Sequence, residues 1–189
     1  MKKHFGTAAI FIGLFSLLFT VALLIPNGAQ AATKKEINAS VDVGLERFTS
    51  DVRGADEFLK AAKGVLVIPR VKQAGFVLGA KYGNGALRVE GKTVGYYNMT
   101  AASAGLQIGV QESNIILCFM DKTVLKKFRE SKGWQVGVDG TVALVTIGAG
   151  GSVDTTKLKE PIVGFVFGQT GLMAGVSLEG LKLTKINPK

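Results

Sequence analysis

Between Ala62 and Leu87 the chain reads AKGVLVIPRVKQAGFVLGAKYGNGAL, and no other stretch restricts the fold as tightly. It holds a helix end, an apolar strand broken by Pro69, a glycine-studded second strand from Phe76 to Tyr82, and a tight turn at Gly83-Asn84-Gly85. The turn leads into Ala86 to Glu90, which reads as the return strand of a hairpin. Proline cannot donate to a strand ladder, so Pro69 should mark a strand edge or end. Glycine inside a strand weakens it and usually marks a bulge, a bend or a close approach of backbones. Few folds need that order of devices.

The flanking segments supply the rest of the architecture. Thr33 to Phe48 reads as an amphipathic helix: Thr33 and Glu36 form a capping box, and Ile37, Val41, Leu45 and Phe48 make one apolar stripe. After Gly54, Ala55 to Lys63 reads as a second short helix, with Gly64 as its C-terminal stop. Gly91-Lys92 is a tight turn into Val94 to Tyr97. Ala101 to Glu112 and Asn114 to Met120 read as further strands. Asp121 is placed to cap a short helix to Ser131, with Val124, Leu125 and Phe128 facing inward. More strands are predicted near Gln135 to Val138, Thr141 to Ile147, Pro161 to Phe167, Leu172 to Leu178 and Leu181 to Ile186. Asp139-Gly140 is the strongest two-residue hairpin signal. The expected fold is α+β: N-terminal helices packed on a curved, largely antiparallel, barrel- or sandwich-like sheet, with one short inserted helix. Several strands are apolar on both faces, which fits a buried core better than the alternation of a membrane barrel.

Compartment and charge come from the head of the chain. Met1 to Ala31 has a basic start, an apolar run from Phe5 to Ile25, and the small-x-small sequence Ala29-Gln30-Ala31. That is the pattern of a signal peptide, residues 1–31, with an uncleaved membrane anchor as the alternative. It leaves residues 32–189 as one domain, exported to the periplasm, cell envelope or outside. Without Lys2 and Lys3 this domain has 21 basic and 14 acidic residues, a net charge of +7. A cationic exported domain suits anionic partners. The one histidine, His4, lies in the head, so the domain has no His-dependent triad, His-ligated zinc or His pH switch. Cys118, the one cysteine, sits in NIILCFM and reads as a small core hydrophobe.

The tempting motifs give no chemistry. Gly91-Lys92-Thr93 resembles the end of a phosphate-binding loop, but the first glycine is replaced by Ala86 and a strand follows instead of a helix. Gly148-Ala149-Gly150-Gly151 is a flexible bend. Neither Ser103 nor Ser152 sits in a nucleophile elbow. Asp154 and Glu160 flank a loop and could approach one another as a carboxylate pair. No aspartate run suggests a calcium loop, and no metal or cofactor is expected. Asn38 and Asn98 open chance glycosylation sequons. Basic residues crowd Lys126 to Lys132 beside Trp134, but without the interleaved aromatics of nucleic-acid modules, so no nucleic acid is expected.

Four blocks together are more specific than any of these motifs: Ala62 to Leu87, VGYYN with SAGLQIGVQ (Val94 to Gln111), FMDKTVLKKFRESKGWQVGVDGTVA (Phe119 to Ala143) and PIVGFVFGQTGLMAGVSLEGLKLTKI (Pro161 to Ile186). In this order they resemble the SYLF domain family over nearly the whole chain after residue 33. The resemblance implies a non-enzymatic module that binds phosphoinositides and other anionic lipids, in a stand-alone exported bacterial form. Actin binding, known among relatives with added SH3 or FYVE modules, becomes the alternative as an envelope or secreted protein-interaction role without lipid specificity. Family members bind lipid through a basic segment at the domain start, which implies Lys34, Lys35 and Arg47 here. Arg70 and Lys72, beside Pro69, are added on charge.

Overall fold

The predicted capping box forms. In this computed structural model, which describes residues 32–75, 78–104, 109–148, 151–170 and 177–189, α1 spans Lys34–Asp51. The Thr33 hydroxyl accepts from the Glu36 N–H, and the Glu36 carboxylate accepts from the Thr33 N–H at 2.7 Å. Ile37, Val41 and Phe48 of the stripe are buried. The second helix, α2, is shorter than predicted, Ala55–Ala61. Gly54, at φ 89°, supplies the left-handed corner between the two helices. Gly64 is not the helix stop; it opens a strand, and a side chain there would meet Leu125 at 2.8 Å. The signal-peptide reading of residues 1–31 lies outside the described residues. Residues Ala32–Lys189 form one compact unit.

Among the described residues eight strands follow: β1 Gly64–Gly75, β2 Leu78–Val89, β3 Lys92–Ala104, β4 Gly109–Phe119, β5 Gly133–Gln135, β6 Ala143–Thr146, β7 Ile162–Thr170 and β8 Lys182–Ile186. They form one sheet in the order β5-β8-β3-β2-β1-β4-β7-β6. Every pairing is antiparallel except β6 with β7, so the sheet is mixed. The sheet is open but strongly curled. Trp134 on β5, near one edge, lies against Gly140, which also approaches Ile162 on β7 near the other edge. Gly164 of β7 has no room for a side chain because Val142 and Leu178 close over it at 2.6 and 2.7 Å.

Three predicted features of the strands are corrected. The hairpin at Gly83-Asn84-Gly85 does not exist; β2 runs straight through it, paired with Met99, Asn98 and Tyr97 of β3. The glycines are there because β1 passes too close: a Cβ on Gly85 would lie 2.0 Å from the Val67 carbonyl oxygen. Pro69 does not end β1, which is a central strand. Instead the register with β4 shifts between Ile68 and Val71, leaving Pro69 and Arg70 in a bulge. Asp139-Gly140 does not join two paired strands, since β5 and β6 sit at opposite edges of the sheet. It closes a short loop in which the Asp139 carboxylate accepts from the Gln135 N–H at 2.7 Å. The predicted strand Ala101 to Glu112 divides between β3 and β4, and its middle, 105–108, lies outside the described residues. So does most of the strand predicted from Leu172 to Leu178. The Gly91 turn forms as predicted, with Glu90 and Gly91 both at positive φ.

Alternation along β1 sorts the core into two clusters. Val65 and Val67 face the outer side, where α1 and α2 lie, and join Phe48, Phe58, Phe165 and Phe167. Leu66 and Ile68 face the inner side with Tyr97, Met99, Leu117 and Phe119. The inserted helix, α3 (Lys122–Glu130), is capped by Asp121 as predicted and places Leu125 and Phe128 in this inner cluster. Phe128 stacks on Tyr97 at 4.8 Å, packs on Phe119 at 4.7 Å and meets Trp134 edge-on at 5.6 Å. Cys118 is buried with the outer cluster, where desolvation pushes its thiol pKa up to about 12.

Candidate functional site

The bulge in β1 decides where the cations go. Without it, strict alternation would send Arg70 inward after Ile68. With it, Val71 takes the inner position and Arg70 points outward, exposed. Arg70 adopts a left-handed backbone here, φ 48°, which is costly for a residue with a Cβ. Two contacts fix the conformation. The Arg70 N–H donates to Asn114 Oδ1 at 3.1 Å, and one guanidinium nitrogen donates to Ser40 Oγ at 3.2 Å. Asn114 is itself buried on β4, and its Nδ2 donates to the Phe167 carbonyl.

α1 crosses directly above. Gly44 lets it come close, packing on Val67 and Pro69. Arg47, one turn further on, then stands at the same place as Arg70. The two arginines share a cavity of about 270 Å³ with Ser40, Val43 and Asn114. Among the described residues neither arginine is in an ion pair. The nearby carboxylate of Asp42 is already held by Arg88 at 2.6 Å. Val43, at the rim, is 50% exposed. The site is therefore an uncompensated pair of guanidiniums beside an apolar lip. Guanidinium is weakly hydrated and presents a fork of donors to phosphate or carboxylate oxygens.

The five predicted residues do not form one patch. Arg47 and Arg70 come together. Lys34 and Lys35 are exposed at the start of α1, roughly 20 Å from Arg47 along the axis at 1.5 Å per residue. Lys72 is exposed on β1 beyond the bulge, paired across to Tyr82 on one side and Glu112 on the other. Glu112 gives Lys72 an opposite charge on the next strand, which Arg47 and Arg70 lack. Tyr82 is 53% exposed and extends the apolar, cationic face outward. Sequence reasoning does not find Ser40, Val43 or Asn114. The Pro69-Arg70 pair signals a bulge, but Asn114 meets it only through strand pairing.

The other chemistry considered has structural roles. Asp154 caps a 3-10 turn, Thr155–Lys159, accepting from the Thr156 N–H at 2.9 Å, which draws its pKa down. Asn38 is engaged with Tyr96 and Thr93, and Asn98 with Asn84. Among the described residues, no three His, Cys, Asp or Glu side chains are grouped to hold a metal.

The recess lined by Arg47 and Arg70 on the curled sheet is a geometry suited to holding an anionic group. Residues 100–187 match the family described as Ysc84, Las17-binding protein actin regulator, in agreement with the SYLF resemblance over that span. The matched span includes SAGLQIGVQ and the two later blocks; Ala62 to Leu87 precedes it. No curated protein matches the chain.

Proposed function

We propose that this protein is a non-enzymatic module that docks on the anionic phospholipid or phosphoinositide headgroups of a membrane surface. The observation that carries the reading is the pairing of Arg47 and Arg70, in no ion pair among the described residues, beside exposed Val43. An anionic headgroup supplies the missing charge, and the bilayer interface accepts the apolar lip. Lys34, Lys35 and Lys72 add long-range attraction from their separate positions. The basic and apolar head, Met1 to Ala31, supports an exported location in the periplasm, envelope or outside the cell. A protein partner is the second reading, favoured by the family's description as a Las17-binding actin regulator.

Co-sedimentation with liposomes separates the two. Segment Ala32–Lys189, which contains both core clusters, is spun with neutral vesicles and with vesicles containing phosphatidylglycerol, cardiolipin or phosphoinositide. The expected result is binding that requires anionic lipid, weakens with salt, and is lost in Arg47→Glu/Arg70→Glu. No sedimentation with any vesicle rejects the lipid reading in favour of a protein partner.

A further inference from the structure

A second recess lies away from the arginine pair, at the end of the sheet where the chain enters β1. Gly64 permits it: with no side chain there, Leu125 of α3 reaches across toward Val89 of β2. The outer and inner core clusters come to the surface side by side at this point. Between them opens a cleft of about 740 Å³, within the usual range for small-molecule sites. Leu45, Leu59, Ala62 and Val89 form its walls, each only half-buried. Its charged groups are unequal. Asp42 is neutralised by Arg88, and Glu90 is the one other carboxylate among the described residues that line it. Lys60, Lys63 and Lys122 stand at the rim and, among the described residues, join no ion pair.

We propose that this cleft binds a single-chain amphiphile with an anionic head, its tail on the Leu45, Leu59, Ala62 and Val89 walls and its head among Lys60, Lys63 and Lys122. The tail removes half-exposed apolar wall from water. The three ammonium groups are compact charges that take a carboxylate or phosphate head without demanding a planar fork. A flat membrane surface would reach the lysines but leave the walls wet, so the cleft fits a monomer withdrawn from a bilayer or met free in solution. This site is separate from the Arg47 and Arg70 cavity and does not depend on it.

Isothermal titration of segment Ala32–Lys189 with decanoate, below its micellar concentration, tests the assignment against decyltrimethylammonium and acetate. Decanoate should bind at one site, and the other two should not, because one lacks the negative charge and the other the tail. Lys60→Gln/Lys63→Gln/Lys122→Gln should weaken decanoate by about tenfold or more, the effect of losing one hydrogen bond to a charged group. Leu59→Gln, at a half-exposed wall position, should weaken it while circular dichroism shows the fold intact. Arg47→Glu/Arg70→Glu should keep decanoate binding whatever becomes of vesicle binding. Absence of decanoate binding, equal binding of the cationic amphiphile, or full binding by the triple-lysine variant would overturn the assignment.

Discussion

α1 and α3 both carry lysine and arginine, yet they use their charges in opposite ways. α3 has the stronger segregation: Leu125 and Phe128 plunge into the inner core, while Lys122, Lys126, Lys127 and Arg129 are exposed to water. One of its cations is matched within the helix, Lys126 to Glu130 at 4.0 Å. α1 mixes Lys35, Glu36, Asp42, Glu46 and Arg47 and looks less cationic along the sequence. Its arginine site arises because a strand bulge thirty residues away in the chain lifts Arg70 to Ser40. Density of charge on a helix describes a solvated face. A site needs charges brought together from distant segments and left without counterions.

The largest test of that contrast is structural. If α3 serves mainly as an anchor, Phe128→Ala should cost about 3–5 kcal/mol, the usual range for emptying a buried aromatic position. Phe128 is fully buried and contacts three other rings. Urea denaturation followed by circular dichroism gives the value, and a loss below about 1 kcal/mol would mean that α3 is not needed to close the inner core.

Charge reversal then separates the two helices as binding surfaces. Each cation near an anionic membrane contributes about 1 kcal/mol, so Arg47→Glu/Arg70→Glu, which changes four charges, should cost roughly 4 kcal/mol of vesicle affinity. Lys126→Glu/Lys127→Glu makes the same change in net charge on α3. It should lose much less, since those lysines lie on the helix packed against the opposite face of the sheet. Equal losses in vesicle sedimentation would show that net charge alone governs binding and that the bulge contributes nothing.

The same contrast divides what is legible in the sequence from what is not. Helix starts are legible because caps are local: Thr33 with Glu36, and Asp121 with Val124, are settled within four residues. The inward stripes of α1 and α3 are legible because their period is short. The strands are harder. Gly83-Asn84-Gly85 has the composition of a turn, and only the nearness of Val67 and Ile68 explains why glycine is needed inside a strand. Asp139-Gly140 makes a turn, but its local signal says nothing about the strands on either side pairing elsewhere. The site follows the same rule. Arg47 and Arg70 each stand out in the sequence, one from its helix and one from its neighbour Pro69. Their meeting, and the exclusion of Lys34 and Lys35 from it, depends on how α1 crosses β1.

Asn114 offers a finer probe, because it holds Arg70 from behind, through the backbone. Asn114→Ala would leave the Arg70 N–H without its acceptor and the strained φ without its support. A loss of about 1–3 kcal/mol of stability is expected for a buried polar group left unpaired. Vesicle affinity should fall less than with the arginines reversed, because the charge remains but its position relaxes. Stability unchanged in urea titration would mean that Arg70 keeps its conformation without Asn114.

The smallest effect concerns the start of α1, where Lys34 and Lys35 are held by the capping box. Thr33→Ala removes a cap, and about 1 kcal/mol is the usual cost. The same box carries a pH signature. Hydrogen bonds from Thr33 hold the Glu36 pKa below its ordinary 4.5. A carboxylate with a depressed folded-state pKa binds fewer protons folded than unfolded, so its contribution is present above pH 4.5 and is lost as pH falls through the folded value. In Thr33→Ala that part of the acid dependence should shrink without vanishing, because the hydroxyl donor is lost while the backbone N–H of residue 33 still donates to the Glu36 carboxylate; vesicle affinity, which rests on Arg47 and Arg70, should be unchanged. If acid titration of stability is the same in both proteins, the Thr33 hydroxyl does not help to hold the Glu36 carboxylate. If vesicle binding falls in Thr33→Ala with Arg47 and Arg70 intact, the cations at Lys34 and Lys35 matter more than their distance from the arginine pair implies.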